Sequence, residues 1–574
     1  MNPELIAVSR GDQPADVLLV GGRVVNVFTG EVESAPVALK GAWVAGVGEG
    51  YRARSVVELD GAFIAPGFID AHVHIESSLA TPPEFCRAVV PRGTTTVISD
   101  PHEIANVHGL EGIRYMLAAS EGLPLTVFVQ ASSCVPATPM ATAGASLGAE
   151  DLVSLLDHPR VLGLAEVMNF PGVIAADPGV WSKLDAFRGR PIDGHAPGVT
   201  GTYLNAYVAA GPSSDHESTT PQEALEKLRR GLFLFLREAT NARNLSTLLP
   251  ILTDGNRRRV ALCTDDRQPP DLLDEGGIDA MLRTVMAGGV PPVEAIRLAT
   301  LNPAEFFRLE DRGAVAPGRR ADLVILDRLE GLEIREVWSA GSPVARAGHL
   351  LPGSLPGDSV DPPPPRVRTG TEAYDLSIPA ADGEVRVIGV VPDQLVTRHL
   401  TMQPTIHDGQ VVADPGRDLL KIVVVERHAG SGRRGLGLVQ GMGLARGAIA
   451  GTVAHDHHNI IAVGADDDSL RTAIDEVVRL GGGLVVAEGE AVSASLPLPI
   501  GGLMSAEPIE TIRAALDSVA GKARDLGSDL HDPFMAMSFL GLEVIPSLKI
   551  TDLGLVDVEA FRGVSIWVDE GVSA

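Results

Sequence analysis

The sequence predicts an α/β protein: a (β/α)8 barrel, a small β-sandwich domain assembled from the segments that flank the barrel, and a C-terminal α+β domain. Two observations predict the barrel. Short apolar runs recur between residues 62 and 310, among them 95–100 (TTVISD), 125–130 (LTVFVQ), 161–166 (VLGLAE), 231–236 (GLFLFL) and 259–265 (RVALCTD). Strands buried on both faces look like this, and the runs alternate with longer helical patterns over roughly the 250 residues typical of one barrel. A third observation predicts the flanking domain. Glycine turns separate β-rich runs at 16–20 (DVLLV) and 23–27 (RVVNV), and a similar run returns at 318–326 (GRRADLVIL), beyond the barrel. Residues 1–61 and 311–351 are therefore assigned to one composite β-domain and residues 62–310 to the barrel.

Prolines crowd the stretch 352–365, where Pro362 to Pro365 are consecutive, so 352–369 reads as a semi-rigid linker. The remaining residues, 370–574, have globular composition and enough length for a further domain. Within them 421–425 (KIVVV) reads as a strand and Gly481-Gly482-Gly483 as a turn. Asp466-Asp467-Asp468 reads as a solvated turn, because the rest of a calcium-loop pattern is missing. Gly441-Met442-Gly443 lacks the third glycine and the strand–helix context of a dinucleotide fingerprint.

Composition excludes several classes of function. The 574 residues carry 47 Lys+Arg against 74 Asp+Glu, a formal charge of −27, which argues against binding nucleic acid or an anionic membrane surface. A hydrophobic content of 45% excludes wholesale disorder, and aromatics at 4% leave the core to Val, Leu, Ile and Ala. The three cysteines, Cys86, Cys134 and Cys263, are too scattered for a disulfide framework or a thiolate zinc site. The opening MNPELIAVSRGD has no apolar signal-peptide region, and no window offers about 18 uninterrupted apolar residues. The expectation is a soluble cytoplasmic protein.

Candidate metal ligands recur at the ends of the apolar runs. In a strand, residues two apart point the same way, so His72 and His74 can share one ion. Glu166, His195, His216 and Asp265 stand at later run ends. A barrel keeps its active site at that end of its strands. Each residue alone has an innocent reading as a cap, a solvated carboxylate or a satisfied core histidine; repetition at successive ends favours a metal site. Imidazole and carboxylate without thiolate suit Zn²⁺, Mn²⁺ or Fe²⁺. Six ligands exceed the needs of one tetrahedral ion, so two divalent ions are expected, with Glu166 able to bridge them.

Longer motifs carry a resemblance. PGFIDAHVHIESSL (66–79), SDPHEIANV (99–107), EVMNFPGV (166–173), DGHAPG (193–198), SDHES (214–218), CTDDR (263–267), NPAEFF (302–307) and PGRRADLVIL (317–326) resemble the amidohydrolase superfamily of metallo-dependent hydrolases, and within it the bacterial adenine deaminases. KIVVVERH (421–428), RGAIAGTVAHDHHNI (446–460), LPLPIGGLMS (496–505) and SFLGLEVIPSLKITDLGLVDV (538–558) extend the resemblance through the C-terminal domain, so that it covers nearly the whole chain.

The resemblance implies a metallo-hydrolase barrel with an adenine-deaminase-type C-terminal domain. The reaction it implies is metal-dependent hydrolysis of adenine to hypoxanthine and ammonia, a step of purine salvage or adenine breakdown. His72 and His74 would bind the deeper ion, His195 and His216 the second, and Glu166 would bridge them where many relatives carry a carbamylated lysine. Asp265 would be the last ligand and the proton shuttle. His102 and Glu103 would sit beside the substrate or leaving group as catalytic and substrate-binding groups. Manganese is the first expectation for the metal, with iron or zinc as alternatives, and a homo-oligomer, dimer or tetramer, is expected. One departure is visible: Gly277 stands where the family usually has a histidine. The cluster His455-Asp456-His457-His458-Asn459 reads as a polar strand-to-loop junction holding the domains together, with an auxiliary metal site or a contribution to the active-site wall as the other reading, and Arg427-His428 is read with the same restraint. Two other functions stay open at this level: an amidohydrolase acting on another aminopurine or cyclic amide, and a catalytically silent scaffold.

Overall fold

The protein is described by a computed structural model covering residues 3–357, 360–370 and 375–568. Eight parallel strands form the barrel: β1 (Phe68–Val73), β2 (Thr94–Ser99), β3 (Thr126–Ala131), β4 (Val161–Val167), β5 (Ile192–Gly194), β6 (Ser214–Asp215), β7 (Phe233–Arg237) and β8 (Val260–Cys263). The first five make one ladder and the last three another. Two seams close the ring. Ser213 N donates to Ile192 O at 2.9 Å between β5 and β6, and Asp265 N donates to His72 O at 3.0 Å beyond the ends of β8 and β1. Nearly every residue of these strands is buried, because helices cover the outside and packed side chains fill the inside. Each apolar run is thus a strand, and each run's polar terminal residue falls at the same rim.

Strands from both sides of the barrel pair with one another. In a seven-stranded sheet Phe63–Pro66 lies between Arg23–Asn26 and Leu323–Arg328, and Ala15–Val20 belongs to a neighbouring four-stranded sheet. Leu19, Val24, Ile64, Leu323 and Trp338 pack into one apolar cluster beneath them.

The C-terminal part is built on an eight-stranded sheet with Leu419–Val425 and Ile460–Gly464 near its centre. The helices Asp467–Leu480 and Ile509–Asp525 accompany it, together with a three-stranded sheet that begins at Leu548–Thr551. Asp466 is exposed, as its reading in a solvated turn expects, but a helix begins at the next residue: the Asp466 carboxylate accepts from Ser469 N at 2.7 Å and caps Asp467–Leu480. The C-terminal part sits on the barrel rim. Ser505 N donates to Leu79 O at 2.9 Å, Thr138 Oγ1 to Glu543 Oε1 at 2.8 Å, and Thr142 Oγ1 to Asp552 Oδ2 at 2.6 Å. One apolar cluster runs without a break from Val97, Val127 and Leu164 of the barrel to Ile422, Val463 and Leu503 of the C-terminal sheet. The proline-rich stretch is tied down as well: His108 Nε2 meets Pro364 O at 3.1 Å and Arg366 donates to Val107 O at 2.6 Å. Among the described residues no helix is long and apolar enough to cross a membrane.

A buried ion network fixes the rim at β5 and β6. Lys227 is fully buried and donates to Asp215 Oδ2 at 2.8 Å, Glu223 Oε1 at 2.8 Å and Ala196 O at 2.7 Å. Asp215 also accepts from Ala196 N at 3.0 Å. Ala196 directly follows His195 and Asp215 directly precedes His216, so the network sets where both imidazoles stand. Burial alone lowers the Lys227 ammonium, but Asp215 and Glu223 outweigh it and hold it above the ordinary lysine value. Burial likewise raises Asp215, but Lys227 outweighs it and holds the carboxyl below its ordinary value. The network therefore contributes fully between about pH 4 and pH 10. It fades as pH falls through the depressed Asp215 value or rises through the elevated Lys227 value. Lys227→Met should destabilise the protein by about 3–5 kcal/mol in denaturant unfolding at pH 7, because it strands a buried carboxylate.

Candidate metal centre and active site

The parallel barrel gathers residues distant in sequence because all eight strands end at one rim. His72 lies in β1 and His74 just beyond it; Glu166 lies in β4; His195 and His216 directly follow β5 and β6; Asp265 follows β8 by two residues. The structure brings all six together. Asp265 adopts a left-handed backbone with φ 56°, a conformation aspartate tolerates better than most residues, and this turns its carboxylate over the barrel axis.

Glu166 is the centre of the arrangement. Its Oε1 lies 3.1 Å from His74 Nε2 and 3.5 Å from His72 Nε2, while its Oε2 lies 2.6 Å from His195 Nδ1 and 3.2 Å from His216 Nε2. Each carboxylate oxygen thus faces one pair of imidazoles. His72 Nε2 and His74 Nε2 are 3.0 Å apart, and both face Asp265 Oδ1, at 3.6 and 3.1 Å. The rings of His72 and His216 stack with centroids 4.3 Å apart, which joins the two pairs. Burial pushes the Glu166 carboxyl up, but His195, His216 and His72 outweigh it and hold it well below the usual carboxylate range. Asp265 is held down in the same way, by His74, Arg237 and His216 against burial.

The donor set fits divalent cations. His72, His74 and Glu166 present ligand atoms within 4.8 Å of one another, and so do Glu166, His195 and His216, and His72, His216 and Asp265. All are buried, and all are nitrogen or carboxylate oxygen, the donors suited to zinc, manganese or iron. His74 Nδ1 lies 2.9 Å from Asp100 O, so an N–H there leaves the Nε2 lone pair aimed inward.

Arg237, the last residue of β7, is a member of the site that the sequence reading passed over. Its guanidinium donates to Asp265 Oδ2 at 2.9 Å and is paired closely with Glu217. The available signal was a charged residue closing an apolar run, at the same rim as the other run ends.

His102 and Glu103 open the helix His102–His108. His102 lines the central cavity, with Nδ1 3.1 Å from Asp100 Oδ2 and Nε2 3.3 Å from Asp456 Oδ1. Glu103 stands behind it. Ser77 Oγ lies 2.7 Å from Glu103 Oε1 and 2.5 Å from Asp266 Oδ1. A hydroxyl has one hydrogen, so Ser77 can donate fully to only one of these two carboxyls at a time. Burial pushes Glu103 up, and neighbouring Glu76 is pushed up to about 8 by burial and by Glu103, so this side of the site can store a proton.

The C-terminal part completes the cavity. Leu395, His455, Asp456, Phe539 and Leu542 line it together with Met168 and the imidazole cluster. The 455–459 segment therefore does two things: His455 and Asp456 reach the cavity, while Asn459 Nδ2 donates to Thr142 O at 2.8 Å across the domain junction; within the C-terminal part, His428 Nε2 meets His457 O at 2.7 Å. Arg427 is a structural strut, donating to Arg366 O at 2.8 Å and Gly501 O at 3.0 Å. Gly277 starts the helix Ile278–Ala287; a Cβ there would meet Thr264 Cγ2 at an ordinary 3.6 Å, next to Asp265.

Comparison with known proteins agrees with this architecture. The amidohydrolase family matches residues 63–344, and the adenine deaminase C-terminal domain matches residues 394–562. The adenine deaminase of Desulfatibacillum aliphaticivorans is 48% identical over 574 residues, covering 99% of this chain and 100% of its own. That of Cereibacter sphaeroides strain ATCC 17025 is 49% identical over 97% of this chain and 98% of its own, and that of Methanothrix thermoacetophila 47% over 99% of each. The chain belongs to the adenine deaminases, amidohydrolase-fold enzymes that hydrolyse the C–N bond of adenine's amino group.

Proposed function

We propose that the imidazole and carboxylate cluster at the barrel rim is the centre where adenine and water become hypoxanthine and ammonia. His72, His74 and Asp265 would hold one divalent ion, His195 and His216 the other, and Glu166 would bridge them. The observation that carries this reading is the division of the Glu166 carboxylate between two imidazole pairs, with each oxygen facing one pair. When bound, a divalent pair supplies one thing neutral water lacks, a pKa lowered toward 7.

The chain's own groups carry the protons. Asp265, kept ionised among His74, Arg237 and His216, takes the proton from the attacking water and delivers it to the departing amino group. Arg237 holds Asp265 Oδ2 in place, leaving Oδ1 for the reaction. His102, on the cavity wall, gives a proton to the ring nitrogen next to the attacked carbon and is reprotonated by the second water proton, released as the new carbonyl forms; Glu103, joined to Asp266 through Ser77, stands behind it. The C-terminal wall keeps bulk water from the reacting carbon.

Manganese is the ion we favour, on the mixed nitrogen and carboxylate donor set. A cytoplasmic homo-oligomer, dimer or tetramer, is the assembly we favour, since symmetric self-association is usual for enzymes of this size.

Glu166→Gln should lower metal content and turnover together, with kcat down by at least about tenfold; full occupancy at normal rate removes Glu166 from the bridge. Asp265→Asn should lower kcat by about 10²–10⁴ with a small change in KM, and an unaltered kcat would take Asp265 out of the proton path. Chelation should abolish ammonia release from adenine. Manganese added to the metal-free protein should restore more activity than zinc, and the reverse order would overturn the choice of ion.

A further inference from the structure

The wall of the cavity opposite the imidazole cluster comes from the C-terminal part, and two of its buried polar atoms, Asp456 Oδ2 and His455 Nε2, lack a partner among the described residues. Asp456 is 3% exposed, and its Oδ1 is held by His102 Nε2 at 3.3 Å and by His455 Nδ1 at 3.6 Å. Its Oδ2 is buried and meets no hydrogen-bond partner among the described residues. Burial pushes the Asp456 carboxyl up, but His102 and His455 outweigh it, so it stays ionised. An ionised carboxylate oxygen can only accept, and leaving it unpaired in a buried site is costly, so a ligand seated there must offer a donor.

The remaining wall is flat and apolar. Phe539, Leu542, Leu395 and Met168 line the same cavity, and the His455 ring stacks on Phe539 with centroids 4.5 Å apart and planes 12° from parallel. Lys549 fixes two of these walls at once: its buried ammonium donates to Leu395 O at 2.7 Å and Phe539 O at 2.8 Å. An aromatic heterocycle seated against these residues would meet apolar side chains and, at its edge, the Asp456 carboxylate and His455 Nε2.

We propose that Asp456 is a substrate-binding residue that accepts the imidazole N–H of the free purine base, and that it thereby selects adenine over bases substituted at N9. The inference rests on the site reading given above. Adenine has two kinds of donor, the exocyclic amine and the imidazole N–H. The amine leaves during the reaction and must lie toward the Glu166 and Asp265 side of the cavity. The donor that remains for the opposite wall is the imidazole N–H. A substituent at N9 removes that donor and pushes bulk against Asp456 and Phe539.

The test measures kcat and KM of the manganese-loaded enzyme on adenine and on 9-methyladenine, in wild type, Asp456→Ala and Asp456→Asn, with metal content and melting temperature recorded for each. Wild type should prefer adenine by on the order of a hundredfold or more, since a site built for an N–H rejects an analogue that lacks it. Asp456→Ala should lose most of that preference through a raised KM for adenine, with 9-methyladenine changed only a few-fold and metal content intact; Asp456→Asn should fall between. Equal losses on both substrates, or an unchanged adenine KM, overturn the proposal. Should the alanine variant fail to fold, competitive inhibition of wild type decides: purine should inhibit far more tightly than 9-methylpurine, and equal inhibition counts against Asp456. A wild-type protein without divalent metal or adenine turnover would instead defeat the reading of the metal centre, so the two failures are separable.

Discussion

The site depends on one carboxylate. Glu166 divides its two oxygens between His72 and His74 on one side and His195 and His216 on the other, and no other described group touches all four rings. Four buried imidazoles placed this closely would repel one another if protonated without a counter-charge. A central anion makes their convergence tolerable, and the barrel supplies it from the penultimate residue of β4. The surrounding structure reads as support for that arrangement: Lys227 and Asp215 fix the rim under two of the rings, Asp100 orients His74, and Arg237 balances Asp265.

The division of labour between the two halves of the molecule follows from charge. The barrel rim carries nearly all of the groups suited to cations, whereas the C-terminal wall contributes a phenylalanine, leucines and the single pair His455 and Asp456. A planar, weakly polar base needs apolar faces and few edge contacts. The groups suited to ions stand at strand ends, where backbone geometry fixes them within a few ångströms; the apolar wall comes from the C-terminal part.

Much of this was legible in the sequence. The barrel strands are apolar runs because parallel strands are buried on both faces, and their ends announce the site because the chain must leave the core there. His72, His74, Glu166, His195, His216 and Asp265 could each be found by that rule. Arg237 obeyed the same rule and was overlooked because its run was weighed for its apolar residues only. His455 and Asp456 were not legible. Their partners His102 and Glu103 lie some three hundred and fifty positions earlier, and nothing local distinguishes a histidine cluster that faces a cavity from one that ties two domains. Asp466 is solvated as read, but its capping role was hidden for a simpler reason: an exposed aspartate shows no sign of a cap until the following helix is seen.

The unbroken apolar cluster shared by the barrel and the C-terminal sheet has a consequence for how the enzyme can be divided. A minimal catalyst cut back to the barrel would lay bare a broad oily face that the intact chain keeps dry, and it would clump rather than dissolve. The two parts should lose their order together on heating, as one cooperative body. Selection acting on the base-binding wall is therefore also selection on the solubility of the barrel.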